Sequence, residues 1–205
     1  MPLDLQKISV KFFVAGSSVV RPEALIPVFN SWIQGSDGRY YDVADYSHIH
    51  AGPGIVLIAY EANVSLDENG NRPGLLYSSK QPLRGSNRDK LRSVFGSALD
   101  YCRRIEKEPA LDGRVKFLGN EALLFINDRL LAPNTEETFD SVKADLKELA
   151  RAIYGGAHFT LEHDAQEPRK RFGVQIRTAV QFDVTTLLNN LNNRTVADSA
   201  GWPAT

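Results

Sequence analysis

Apolar residues fall at alternate positions through Lys7–Val14 (KISVKFFV), and this period of two predicts a strand. The period then changes. Within Arg21–Gln34, Leu25, Ile26, Phe29, Trp32 and Ile33 share one helical face, which Gly35 ends. Pro22 suits a first turn, whereas Pro27 removes a backbone donor, so a kink or a later helix start is expected. A short strand is predicted around Val43–Ser47 and a long one over Gly54–Leu66. In the latter Val56, Ile58, Tyr60, Ala62, Val64 and Leu66 share a face, while the other face runs from Ile55, Leu57 and Ala59 to Glu61, Asn63 and Ser65. Asn69-Gly70 marks a tight turn into Leu75–Ser79. The clearest helix spans Ser86–Glu108, with the stripe Leu91, Val94, Phe95, Ala98, Leu99, Cys102 and Ile105, a capping pattern at Ser86 and Asp89, and Pro109 as its stop.

The second half repeats this grammar. Arg114–Leu118 reads as a strand, Gly119-Asn120 as a turn and Glu121–Asn127 as a further strand. Asn134 is the expected cap of a helix burying Phe139, Val142, Leu146, Leu149, Ala150 and Ile153, closed by Gly155-Gly156. Strands over Ala157–His163 and Phe172–Phe182 follow. Asp183 then caps a last helix with Val184, Leu187, Leu188 and Leu191 inward, before the polar tail 194–205.

Laid side by side, FFVAGSSVVRPEA (12–24) corresponds to LFINDRLLAPNTE (124–136), and EANVSLD (61–67) to RTAVQFD (177–183). The expected architecture is therefore α+β: a mostly antiparallel sheet with helices on one face, in one globular unit of two similar β-α-β-β halves over about 7–108 and 114–193. That element order resembles the duplicated strand–helix–strand–strand module of the gyrase-inhibitor-like effector-binding family, which implies a small-molecule cleft between the halves. The stretches PGIVLIAYEA, RPGLLYS and NDRLLAPNT resemble an uncharacterised bacterial protein family, a likeness that carries no function.

Composition narrows the partners. With 24 basic and 25 acidic residues among 205, the chain offers no overall attraction to nucleic acid or an anionic membrane. No apolar run approaches the roughly 20 residues that span a bilayer. MPLDLQK lacks the pattern of a secretory signal, and the lone Cys102 suits a reducing compartment, so a cytoplasmic protein is expected.

Few residues suggest chemistry. Gly52-Pro53-Gly54 precedes an apolar strand and not a helix, so it reads as a turn and not as a phosphate loop. His48 and His50, two apart on a strand, would point the same way and suit a metal with Asp45 or Glu61, although a hydrogen-bonding role weighs more. Cys102 reads as an inert core thiol and EPRKRF (167–172) as a solvated hairpin tip. Asp128-Arg129 reads as a local salt bridge or turn contact, and Trp202 in the tail as a docking or interaction point. The leading functional reading is a non-catalytic protein that binds a small molecule or protein partner through His48, His50, Tyr60, Glu61, His158, Gln175 and Arg177, without a cofactor. A hydrolase or lyase using His48, His50 and Glu61 is the alternative, and self-pairing of an exposed strand edge into a homodimer is a third. Glu61 and Arg177, equivalent in the internal alignment, are expected to pair or to line the cleft together.

Overall fold

The computed structural model describes residues 3–16, 21–49, 52–167 and 169–199, with side chains as far as 193. In chain order the elements are β1 (Ile8–Val14), α1 (Leu25–Gln34), β2 (Tyr40–Tyr46), β3 (Gly54–Ala59), β4 (Ala62–Asp67), β5 (Gly74–Ser79) and α2 (Asn87–Glu106). The second half supplies β6 (Phe117–Ile126), α3 (Glu136–Ile153), β7 (Phe159–His163), β8 (Gly173–Thr178) and α4 (Val184–Ser199). All eight strands form one antiparallel sheet in the order β2-β3-β4-β5-β1-β6-β8-β7. The fold is α+β.

The two halves meet where β1 pairs β6, with Ile8 opposite Ile126 and Lys11 opposite Leu123. Alternation along β1 sends Ile8, Val10 and Phe12 to the helices and Ser9, Lys11 and Phe13 to the other face. Phe12 meets Phe95 of α2 edge-on at 6.0 Å. The apolar stripe of α2 is buried throughout, and α3 and α4 pack beside it, so one apolar layer fills the space between helices and sheet. Ser86 and Asp89 form the expected capping box at the start of α2.

Several boundaries differ from the sequence reading, each for a local reason. The strand expected over 54–66 is a hairpin, broken by a two-residue turn at Tyr60-Glu61. Neither residue takes a positive φ, so the Asn-Gly signature that announces most such turns is absent. Conversely, Gly119-Asn120 is no turn, because β6 runs straight through it. A Cβ at Gly119 would stand 2.0 Å from the Phe182 carbonyl oxygen, so this glycine serves a close backbone approach. Helix α1 starts late, after a short helical turn at Pro22–Ala24, which puts Pro27 in its first turn where no amide donor is needed. Thr135, and not Asn134, caps α3. Asn134 is buried and donates to the carbonyls of Asp164 and Glu167. Trp202 lies outside the described residues.

Leu99 is fully buried in the α2 stripe. Leu99→Ala is expected to cost about 2–5 kcal/mol in chemical denaturation, and a change near zero would show that the stripe is not core.

Candidate ligand site

The Tyr60-Glu61 turn lies over a pocket of about 290 Å³. Its walls are Tyr60 from the turn, Tyr41 from β2, Tyr77 from β5 and Tyr101 from α2, with Ala59 and Ala62 between them. Asp37, Arg39 and Glu61 bring charge to it, and Ser97 a hydroxyl. The turn is fastened from behind. Lys80 donates its backbone N–H to the Glu61 carbonyl and its Nζ to the Ala59 carbonyl, at 2.8 and 2.9 Å, and Gln81 donates to the Tyr60 carbonyl at 3.1 Å. The Tyr60 and Glu61 side chains are left exposed, Tyr60 to 57%. Among the described residues, no ion pair involves Asp37, Arg39 or Glu61.

The inner wall is rigid. Tyr77 and Tyr101 lie 5.9 Å apart, and Tyr101 continues into Trp32 and Phe29 of α1. The Tyr40 hydroxyl oxygen accepts from Arg104 at 2.7 Å and from Tyr101 at 3.3 Å, while the Arg104 guanidinium lies 3.7 Å over the Trp32 ring. Burial pushes the Tyr101 phenol well above its ordinary pKa, and the Tyr40 hydroxyl adds to that rise. Tyr77 is raised by burial as well, partly offset by its hydrogen bond to Ser97. Both phenols stay neutral across the physiological range, so the inner wall presents aromatic faces and hydroxyls.

A second polar cluster occupies the sheet face away from the helices, where the halves meet. Lys11, only 3% exposed, donates to Asp67 at 2.5 Å and to the Asn69 carbonyl at 3.2 Å. Burial lowers the Lys11 pKa, opposed by the hydrogen bond that Lys11 donates to Asp67. The stem of Lys11 crosses Gly74, where a Cβ would stand 2.8 Å from Lys11 Cε. Beside it Arg72 stacks on Phe13 at 3.8 Å and grips Glu121 with two bonds of 2.8 and 2.6 Å. The Arg72 guanidinium holds the Glu121 carboxyl below its usual range. Gln175 also donates to Glu121, and Arg177 bridges Glu121 at 3.2 Å and Glu162 at 2.8 Å.

The residues singled out from sequence are thus spread over four places. Tyr60 and Glu61 line the pocket, and Gln175 and Arg177 belong to the ion-pair cluster. His158 is exposed just before β7, its carbonyl accepting from Thr178. His48 is exposed in the turn after β2, where Asp45 accepts from the Ser47 N–H and hydroxyl and so shapes the turn. His50 lies outside the described residues. Because β3 runs from the His48 turn to the Glu61 turn, these two residues stand at opposite ends of a six-residue strand, roughly 20 Å apart. His48 and Glu61 of the histidine–glutamate catalytic set are not brought together. No group of three His, Cys, Asp or Glu is placed to hold a metal among the described residues.

Glu61 and Arg177 do not pair either, since β5, β1 and β6 separate β4 from β8. By position in the sheet, β5 and not β4 matches β8, each lying directly beside the first strand of its half. Cys102 is buried, and burial raises its thiol pKa far above the ordinary value, as an inert core thiol requires. Asp128 makes a turn contact, accepting from the Leu130 and Leu131 N–H groups, and its ion pair is with Lys7 at 3.6 Å and not with Arg129. Arg39, Tyr41, Tyr77, Ser97 and Tyr101 were missed, although Tyr101 stands beside the α2 stripe and Tyr77 in a plain strand pattern. Comparison of the chain with protein-family models, curated proteins and solved structures found no match.

Removing one partner of a buried ion pair strands the other. Lys11→Met is expected to cost about 3–5 kcal/mol in urea unfolding. Combining it with Asp67→Leu should recover most of that loss, and equal losses for the single and double variants would refute the pairing account.

Proposed function

We propose that this chain is a non-catalytic binding protein whose tyrosine pocket receives a small apolar or aromatic group carrying positive charge, presented by a small molecule or a protein partner. The observation that carries this reading is the pocket itself: among the described residues four tyrosines wall it, and two carboxylates, Asp37 and Glu61, stand against one cation, Arg39. Tyrosine faces attract cations through the ring quadrupole, and carboxylates at the mouth add direct attraction. Pockets that bind small ligands combine such apolar walls with a few fixed polar groups. Among the described residues nothing in the arrangement activates a nucleophile: the hydroxyls of Tyr77 and Tyr101 have raised pKa values, and no histidine lines the pocket.

Benzylamine is a direct probe, with benzyl alcohol as its neutral counterpart. Benzylamine is expected to shift the amide resonances of Tyr60, Glu61, Ser97 and Tyr101 with an affinity in about the millimolar range, as befits so few atoms. Benzyl alcohol should bind more weakly, and both Glu61→Gln and Tyr60→Ala should weaken benzylamine roughly 2- to 5-fold, given the modest worth of an exposed cation–π contact. Shifts that avoid these residues at saturating benzylamine would contradict the proposal.

A further inference from the structure

Leu130 is 98% exposed, yet the loop that carries it is firmly held. The Asp128 carboxylate accepts from the backbone N–H groups of Leu130 and Leu131 at 3.2 and 3.0 Å, and the Asp128 carbonyl accepts from Ala132. Ala132 and Asn134, just beyond, are buried and anchor the far side. Asn127 anchors the near side, donating to the Ser9 hydroxyl at 2.7 Å and accepting from Arg171 at 2.8 Å. Arg129 donates to the Arg169 carbonyl at 2.8 Å. A leucine on a slack loop folds back onto the body, but these bonds deny this one that escape from water. Around it Lys7 pairs with Asp128 and Lys170 with Glu167, which leaves Arg129, Arg169 and Arg171 to outnumber Asp164.

The strand register places this loop and the tyrosine pocket at the same end of the sheet. Ile8 faces Ile126 and Ser9 faces Ser78, while Ala62 faces Ser79 and Tyr40 faces Ala59. The loop follows β6 and the pocket lies at the start of β4, three strand spacings away, about 14 Å. From these facts the geometry points to a second copy of this chain as the occupant of the pocket: Leu130 of each copy enters the tyrosine pocket of the other, with Arg129 beside Asp37 and Glu61. The inference rests on the reading of the pocket as a binding site. Because knob and pocket share one end, a twofold axis through the midpoint of the line that joins them, and perpendicular to it, exchanges the two and makes both contacts at once. The assembly closes as a dimer and does not grow into a chain. The charges agree, a basic collar meeting a pocket with surplus carboxylate.

Sedimentation velocity on the full chain over a concentration series tests this. The wild type is expected to pass reversibly from monomer to dimer as concentration rises. Leu130→Asp, whose side chain packs on nothing and so leaves the fold intact, should raise the dissociation constant at least about tenfold. Glu61→Lys should do the same, and benzylamine should lower the dimer fraction of the wild type. A chain that stays monomeric, a dimer that survives Leu130→Asp or ignores benzylamine, or species larger than a dimer would each overturn the inference. So would a monomer that binds phosphatidylserine-containing vesicles through Leu130. A monomer whose pocket still binds benzylamine loses only the second copy as occupant. A monomer that binds none loses the pocket as well.

Discussion

The pairing of β1 with β6 is the interaction on which the rest of the molecule depends. It joins the two halves of the chain into one sheet, and all the helices lie on one side of that sheet. The other side of the central strands must therefore satisfy itself. Ser9, Lys11, Phe13 and Glu121 are all buried there without a covering helix. A charge removed from water is tolerated only when it is paired and hydrogen-bonded, and here each one is. Lys11 has Asp67, and Glu121 has Arg72 and Arg177. These bonds also reach sideways, tying β4 and the segment before β5 to β1, and β8 and β7 to β6.

That centre supports the pocket at one remove. Strand β5 lies beside β1 and carries Tyr77, and α2 packs on both strands and carries Ser97 and Tyr101. The inner wall is thus fixed by the same packing that fixes the core. The outer wall, Tyr60 and Glu61, hangs on a turn held by Lys80 and Gln81. A binding site with a rigid back and an exposed lip can accept a partner without rearranging its framework. The same end of the sheet carries Leu130, so one surface presents both a recess and a projection.

The periodic elements were legible in the sequence because period alone decides them. The α2 stripe, the β1 alternation and the capping pattern at Ser86 all lie within one segment. The misread places are those where distant residues decide. Gly119 looks like a turn until Phe182 is brought against it, and Tyr60-Glu61 looks like strand because neither residue carries a turn signature. Lys11 was visible as a charge in an apolar strand, but Asp67 as its partner was not, since the pairing arises only once β5 inserts between β1 and β4. Tyr60 and Glu61 are legible from sequence as ligand-binding residues, but on opposite faces of one long strand, whereas they form the turn that divides it. Apart from the alanines that flank them, the other pocket residues come from three separate segments, 37–41, Tyr77 and 97–101, and no spacing rule connects them.

Native-state hydrogen exchange tests the central role of the β1–β6 pair most directly. If that pairing joins the halves into one cooperative structure, the amides of Val10 and Phe12 in β1 and of Leu123 and Leu124 in β6 exchange slowest in the molecule. They should also do so with one shared free energy, equal to that of global unfolding. Exchange of the β6–β8 amides at a distinctly lower free energy than those of β1 and β5 would contradict the account, because the second half would then open while the first stays folded.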